Sequence, residues 1–267
     1  MGKQEIRVIS VHNKELIESF LRKNTDLNIY QIGDLDDFFW NSTIWLGLEL
    51  DNKLESLVLI YLSPSIPVLL AFSEEKEKMN ILLKEAINYL PNKFYAHLSP
   101  NLETVFFDNY KYDFNGEHLK MSLQNSLKLK EIDTSEVKLI SSEELNELNL
   151  FYHESYPENW FDLRMLETKQ YFGIKEKDKF ISVAGIHVYS EKYKVSALGN
   201  ITTHPNYRGK GLAKKVTAKL CNSLFDKGVK NIGLNVLASN EIAIKCYESL
   251  GFEKTAKYNE FLFEKTS

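Results

Sequence analysis

The segment from Asn200 to Lys215 combines the end of an apolar strand, a glycine-containing turn and the start of an amphipathic helix. Pro205 ends the strand, and Leu212, Val216 and Leu220 begin an apolar stripe with helical spacing. Such a turn points consecutive backbone N–H groups at one anion beside a helix N-terminus. The segment therefore predicts alternating strands and helices with a site for a pyrophosphate group.

Within this turn, Arg208, Gly211 and Ala213 form an Arg-x-x-Gly-x-Ala pattern. It is neither the Gly-Lys-Ser/Thr loop of nucleoside triphosphatases nor the Gly-x-Gly-x-x-Gly turn of dinucleotide-binding proteins. Nucleotide hydrolysis and hydride transfer therefore lose support. Because the spacing alone arises often by chance, the interpretation depends on the flanking strand and helix and on the basic cluster from Lys210 to Lys215. The alternative is an ordinary strand-to-helix connection with a solvated basic face.

Length and charge limit the classes of protein that this chain could belong to. A chain of 267 residues exceeds the usual single domain, so two domains are expected. The net charge of -4 and the sequence pI near 5.9 argue against nucleic acid or an anionic membrane as a partner. The most apolar stretch, Leu57 to Phe72, is broken by Pro64 and Pro67 and is too short to span a bilayer. Met1 to Ser10 has no apolar signal core, so we expect a cytoplasmic protein.

The two halves of the chain repeat one order of elements. Glu5 to Ser10 is echoed by Glu136 to Ser141, and each short alternating strand leads into a helical segment. Each half then offers a hairpin, another strand, a long helix, a further strand, a shorter helix and a final strand pair. The predicted hairpin strands are Trp45 to Leu50 with Leu57 to Leu62, and Tyr171 to Ile174 with Phe180 to Val188. The repeat predicts two α/β domains, residues 1–130 and 131–267, each with a central mixed β-sheet flanked by helices.

The halves differ at the position of the glycine turn. The first half has Ala71 to Glu77 there, with no glycine and three carboxylates. Acidic side chains repel a pyrophosphate. We therefore expect a coenzyme site in the second half alone.

The segment from Leu234 to Phe252, taken with the Arg208 turn, resembles the second signature of the GNAT acyl-CoA N-acyltransferases. The resemblance covers about Glu136 to Ser267, and the first half resembles the same fold only in pattern. The whole chain thus resembles a tandem GNAT protein with one degenerate copy. The resemblance implies a strand ending near Val236, a helix opening near Asn240, and a splayed pair of strands whose gap admits the pantetheine arm of acetyl-CoA.

The resemblance also implies roles for individual residues. The implied coenzyme contacts are the backbone of Ile201 and Thr203, at a strand bulge, the N–H groups of Arg208, Gly209, Lys210, Gly211, Leu212 and Ala213, and the side chain of Asn240. Asn240 is also a plain candidate for a helix N-cap. Tyr247 matches the general acid that protonates the departing thiolate, although it could simply pack beside Cys246 and Phe252. Tyr247 lies five residues before the aromatic Phe252. In the first half, the residue five positions before the aromatic Tyr112 is Phe107, which cannot donate a proton.

The general base and the acceptor site are less defined. The strand from Val195 to Asn200 has no carboxylate, which leaves His204 and His187 as candidates, and a His before Pro is more often structural. The acceptor is expected against the loop from Tyr152 to Phe161, where the candidate residues are Glu154, Glu158 and Trp160. The competing interpretation places the loop aromatics in the core and the acids in solvent.

These observations predict an acetyl-CoA-dependent N-acetyltransferase, a monomer or homodimer without a metal, acting on the primary amine of a small-molecule or amino-acid-like acceptor. Two alternatives remain open: a protein or peptide N-acetyltransferase, and a non-catalytic acyl-CoA sensor.

Overall fold

The computed structural model describes residues 5–157, 159 and 161–266, which fold into two compact units. Unit 1 comprises the described residues up to Lys120, together with Leu237–Ser239 and the chain from Ala256 onward. Unit 2 comprises Met121–Val236 and Asn240–Thr255. These units differ from the two domains predicted from the sequence, residues 1–130 and 131–267, because most of the last strand of the chain joins the sheet of unit 1.

Unit 1 is a mixed sheet with helices packed on it. Its strands lie in the order β1-β2-β3-β4-β5-β12-β6. The strands are β1 Ile6–Ser10, β2 Thr43–Leu50, β3 Lys53–Tyr61, β4 Val68–Ala71, β5 Lys93–Leu98, β6 Tyr110–Leu123 and β12 Phe252–Lys265. The helices are α1 Lys14–Leu21, α2 Thr25–Gly33, α3 Asp37–Trp40 and α4 Lys76–Ala86, with 3-10 turns at Arg22–Asn24, Ile87–Tyr89 and Glu103–Val105.

Unit 2 has the strand order β11-β10-β9-β8-β7, in which β10 and β11 are parallel and the other pairs are antiparallel. The strands are β7 Lys138–Leu139, β8 Phe172–Glu176, β9 Lys179–Ser190, β10 Val195–Thr203 and β11 Asn231–Leu237. The helices are α5 Leu145–Ser155, α6 Leu212–Asp226 and α7 Glu241–Ser249, with 3-10 turns at Ser126–Glu131, Ser142–Glu144, Leu163–Thr168 and Pro205–Tyr207. Helix α6 packs on β8, β9 and β10, and α5 packs on β9.

The predicted mixed α/β architecture is confirmed, and both predicted hairpins form with tighter turns than expected. Asp51 and Asn52 turn the first hairpin with φ of 50° and 63°, and Lys177 and Asp178 turn the second with φ of 49° and 64°. Two consecutive left-handed residues match the twist of the flanking strands. The strands consequently run further into the turns than the sequence pattern indicates.

The predicted final strand pair of each half is wrong. Each half ends instead in one strand of 14 residues, β6 and β12. Strand β12 has no glycine or proline to turn it, and its residues Asn259–Glu264 pair with Leu98–Lys93 of β5. Phe263 of this strand is fully buried in the core of unit 1 beside Phe94 and Phe106. Burial of such aromatic surface stabilises the placement of the strand.

Across the described ranges, no helix is both long and apolar enough to cross a lipid bilayer.

Asp34, which follows α2, is a buried acid of unit 1 with no hydrogen-bond or ion-pair partner for its carboxyl group among the described residues. Burial raises the pKa of this carboxyl group from 3.8 to about 8. The folded chain therefore keeps a proton that the unfolded chain loses above about pH 4, so the free energy of unfolding falls as the pH rises from about 4 to about 8. Asp34→Asn is expected to abolish this slope and to raise the free energy of unfolding at pH 8 by a few kcal/mol.

Urea unfolding at pH 5 and pH 8 measures the effect, with the exposed Asp108→Asn as the control. An unchanged slope in Asp34→Asn would contradict the assignment.

Candidate functional site

The parallel strands β10 and β11 diverge in the middle of the sheet of unit 2. Their pairing runs from Val195 with Asn231 to Leu198 with Leu234 and ends there, although both strands continue. This is the splayed pair that the sequence resemblance implies, and it leaves a gap beside the carboxyl ends of both strands. Ligands of α/β folds commonly bind at such an opening.

A bulge lies in β10 at the start of this gap. The register with β9 shifts between Gly199 and Thr202, and Asn200 has a left-handed φ of 54°. The N–H group of His204 donates to the carbonyl oxygen of Ile181 on β9 at 2.9 Å. Because the N–H groups of successive strand residues alternate in direction, the N–H group of Thr203 faces away from β9, toward the gap, whereas Ile201 lies within the bulge.

The loop from Arg208 to Leu212 forms the N-terminus of α6 as the sequence predicts. Gly209 and Gly211 have φ of 78° and 74°, and a Cβ on either would meet no atom within 4 Å. No described residue accepts a hydrogen bond from the N–H groups of Gly211 to Lys214. Open space, free N–H groups and the positive end of a 15-residue helix fit a phosphate group.

Basic side chains surround this helix N-terminus, and its first turn has no acid. Lys210 lies over the ring of Tyr207 at 5.0 Å, while Lys215 pairs with Glu136 at 2.5 Å. The Nε atom of Arg208 donates to the carbonyl oxygen of Thr203 at 3.2 Å. Arg208 therefore ties the loop to the end of β10 as well as adding positive charge.

Tyr247 lies on α7, which packs against α6. Its side chain is 8% exposed, and its ring meets that of Phe252 edge to face at 6.0 Å. Burial, with smaller contributions from the neighbouring Cys246 and Tyr156, raises the pKa of Tyr247 well above its ordinary value of 10. The phenol thus carries a proton at neutral pH, as a general acid must.

Asn240 caps α7, since its side chain accepts a hydrogen bond from the N–H group of Ala243 at 3.2 Å. The N-cap interpretation of this residue is confirmed. Its side chain is exposed, and its contact with a coenzyme stays a prediction.

Of the candidate bases and acceptor residues, His204 and Glu154 lie close together just after the end of β10. His204 accepts a hydrogen bond from the N–H group of Asn206 at 3.3 Å through Nδ1, and its Nε2 lies 3.9 Å from a carboxylate oxygen of Glu154. His204 thus stabilises its own turn. The half-buried ring of His187 packs on Gly199, where a Cβ would lie 2.0 Å from it. Glu158 and Trp160 lie outside the described residues.

Unit 1 lacks each of these features at the corresponding place. Its parallel strands β4 and β5 stay paired to their ends, from Val68 with Tyr95 to Ala71 with Leu98, and the N–H group of Ser99 continues the ladder to Ala71 at 3.0 Å. The helix that follows, α4, begins after Glu75 with no positive-φ glycine and with Glu77 in its first turn. Phe107 stacks on Tyr112 at 4.5 Å. Among the described residues of unit 1, the paired strands β4 and β5 thus show no divergence, and α4 begins without a glycine turn.

A buried polar network around Asn200 is the main feature that the sequence pattern does not indicate. It consists of Tyr152, Asn159 and Tyr171, which all bond to Asn200. The available signal was a lone asparagine within an apolar strand.

Known proteins resemble this chain in both sequence and structure. The sequence model of the acetyltransferase (GNAT) family matches residues 138–252. The ribosomal protein bS18-alanine N-acetyltransferase of Escherichia coli is 32% identical over 130 residues, which cover 46% of this chain and 86% of that protein. Mycothiol acetyltransferase of Renibacterium salmoninarum is 34% identical over 102 residues, or 36% of this chain and 28% of that protein.

A solved structure shares the fold over nearly the whole chain. A tandem GNAT protein from the clavulanic acid biosynthesis pathway covers 98% of this chain and 98% of its own, with a TM-score of 0.58 and 12% identity. At this identity the likeness shows the fold alone. Together with the sequence matches, it places the chain in the GNAT acetyltransferase family, whose members are acyltransferases.

Proposed function

We propose that this enzyme transfers the acetyl group of acetyl-CoA directly to the primary amine of a small-molecule or amino-acid-like acceptor. The observation that carries the proposal is the gap between β10 and β11, which opens beside the free N-terminus of α6. A pyrophosphate on Gly209 to Ala213 would leave the pantetheine arm to run along β10. There the N–H group of Thr203 faces the gap, and we propose that it binds the arm together with the N–H group of Ile201 in the bulge.

The chemistry then follows from the groups around the gap. The unprotonated amine attacks the thioester carbonyl carbon, and the oxygen gains negative charge, which N–H groups of the bulged strand stabilise. When the C–S bond breaks, the thiolate takes a proton from the phenol of Tyr247. The ammonium formed at the acceptor nitrogen loses its proton to solvent, or to the base for which His204 and His187 are candidates, and the Tyr247 phenolate takes a proton back from solvent.

The acceptor is proposed to lie against the loop from Tyr152 to Phe161. Tyr156 of this loop is close enough to Tyr247 to contribute to the shift in its pKa, and Glu154 is half exposed beside His204. A carboxylate and aromatic rings suit a cationic amine.

A second candidate acceptor is the N-terminal amine of a peptide. The Escherichia coli relative is named for acetylating an alanine of a ribosomal protein, and it is 32% identical to this chain over 130 residues. A peptide would present the same primary amine to the same thioester.

A thiol-release assay with acetyl-CoA separates these candidates. The panel contains free amino acids, aliphatic and aromatic amines, and short peptides that begin with alanine. Release with free amines but not with peptides is the expected result. Release with peptides alone would support the second candidate. Tight coenzyme binding without transfer to any amine would support the alternative of a non-catalytic acyl-CoA sensor.

A further inference from the structure

Asn200 occupies the turning point of the bulge in β10 and is 4% exposed. Its φ of 54° is a left-handed conformation that is strained for a residue other than glycine. Strained backbone of this kind persists only where the surroundings fix it.

The surroundings of Asn200 fix both its backbone and its side chain. The phenol of Tyr152 donates to the Asn200 carbonyl oxygen at 3.0 Å, and Nδ2 of Asn200 donates to the Tyr171 oxygen at 3.0 Å. Oδ1 of Asn200 accepts from Asn159 at 3.3 Å. Tyr171 in turn donates to the carbonyl oxygen of Ile186 at 3.0 Å, so the network ends on the backbone of β9.

Neither phenol in this network is free to move. Tyr152 is 3% exposed and Tyr171 is fully buried, and the ring of Tyr171 fills the space over Gly185, where a Cβ would lie 2.1 Å from it. Burial raises the pKa of both phenols, so both keep the proton that they donate.

We propose that Asn200 is a positioning residue, which Tyr152 and Tyr171 hold in the left-handed conformation so that the next N–H groups of β10 point at the coenzyme arm and the thioester. Asn159 extends the same tether to the loop where the acceptor is proposed to bind. The inference rests on the proposed function, because it assigns an orienting role at that same site. A shift of about 1 Å in such groups can lower a rate by about 100-fold.

Asn200→Gly tests this role, because glycine adopts the left-handed conformation without strain and removes only the side-chain tethers. Hydrogen–deuterium exchange is measured with and without acetyl-CoA. In the parent chain, acetyl-CoA is expected to slow exchange at both 201–203 and 209–214. In Asn200→Gly, the slowing at 209–214 should persist, while the slowing at 201–203 should fall by about fivefold or more.

Kinetics with an active amine provide a second readout. Asn200→Gly is expected to lower kcat by about 10- to 100-fold while the Kd for acetyl-CoA changes by less than about threefold. Tyr152→Phe, which deletes one hydrogen bond and keeps the ring, should lower kcat by about 10-fold. Tyr110→Phe is the control, because that buried hydroxyl of unit 1 has no hydrogen-bond partner among the described residues.

Parent-like protection at 201–203 together with a parent-like kcat in a folded Asn200→Gly variant would overturn the inference. The inference would also be overturned if acetyl-CoA slowed exchange in the parent chain at 209–214 alone. That result would still support the proposed pyrophosphate site at 209–214. If acetyl-CoA protects no part of the parent chain, the proposed function is wrong and this inference falls with it.

Discussion

Tyr247→Phe is expected to lower kcat by about 100-fold or more, the usual range for the loss of a general acid. The phenylalanine ring keeps the edge-to-face contact with Phe252 and loses only the hydroxyl group. The thiolate would then have to take its proton from water. Because the phenol acts on the departing thiolate, the loss should appear equally in kcat and kcat/KM, with the Kd for acetyl-CoA unchanged.

Steady-state kinetics of the parent, Tyr247→Phe and Tyr193→Phe across pH measure this effect. Tyr193 is an equally buried tyrosine of unit 2, 5% exposed, and it lies just before the opposite end of β10. Its variant should retain kcat within about twofold, as for a residue outside the site. A parent-like kcat in Tyr247→Phe across pH, with fold and coenzyme affinity intact, would remove Tyr247 from the mechanism.

Gly211→Val is expected to weaken acetyl-CoA binding by about 100-fold, which corresponds to about 3 kcal/mol. Gly211 has a φ of 74°, which a β-branched residue such as valine cannot adopt without strain. The valine side chain would also project into the open space where the pyrophosphate is proposed to bind. Loss of one or two charge-assisted hydrogen bonds to helix N–H groups accounts for an effect of this size.

Gly228 provides a matched control for this substitution. It follows the other end of α6, has a φ of 81°, and also has no atom within 4 Å of a Cβ position. Gly228→Val and Gly211→Val should therefore lower Tm to a similar extent, whereas only Gly211→Val should lose coenzyme affinity. Equal Kd values for acetyl-CoA in the two variants would contradict the assignment of the loop.

The local features of the site could be predicted from sequence because each depends on residues close together in the chain. The positive φ just before α6 favours glycine, which is present as Gly211. Asn240 is the N-cap of α7. The divergence of β10 from β11 was implied by the family resemblance of the segments around both strands, and the register confirms it.

The remaining features depend on contacts between residues that are distant in sequence. Nothing local in β12 indicates that it pairs with β5, more than 150 residues earlier. Similarly, the left-handed conformation of Asn200 depends on Tyr152 and Tyr171, which come from a helix and a loop that local patterning does not connect to β10. The sequence pattern does not indicate the two-residue turn at Lys177 and Asp178, because a lysine rarely adopts the positive φ that Lys177 has there.

Calorimetric titration of the whole chain with acetyl-CoA tests the central claim, a single coenzyme site at the N-terminus of α6 in unit 2. The expected result is one molecule bound per chain, with binding weakened in Gly211→Val and unchanged when Glu75 or Glu77 of unit 1 is replaced by glutamine. Two molecules per chain, or binding that responds to the unit 1 substitutions and not to Gly211→Val, would contradict it.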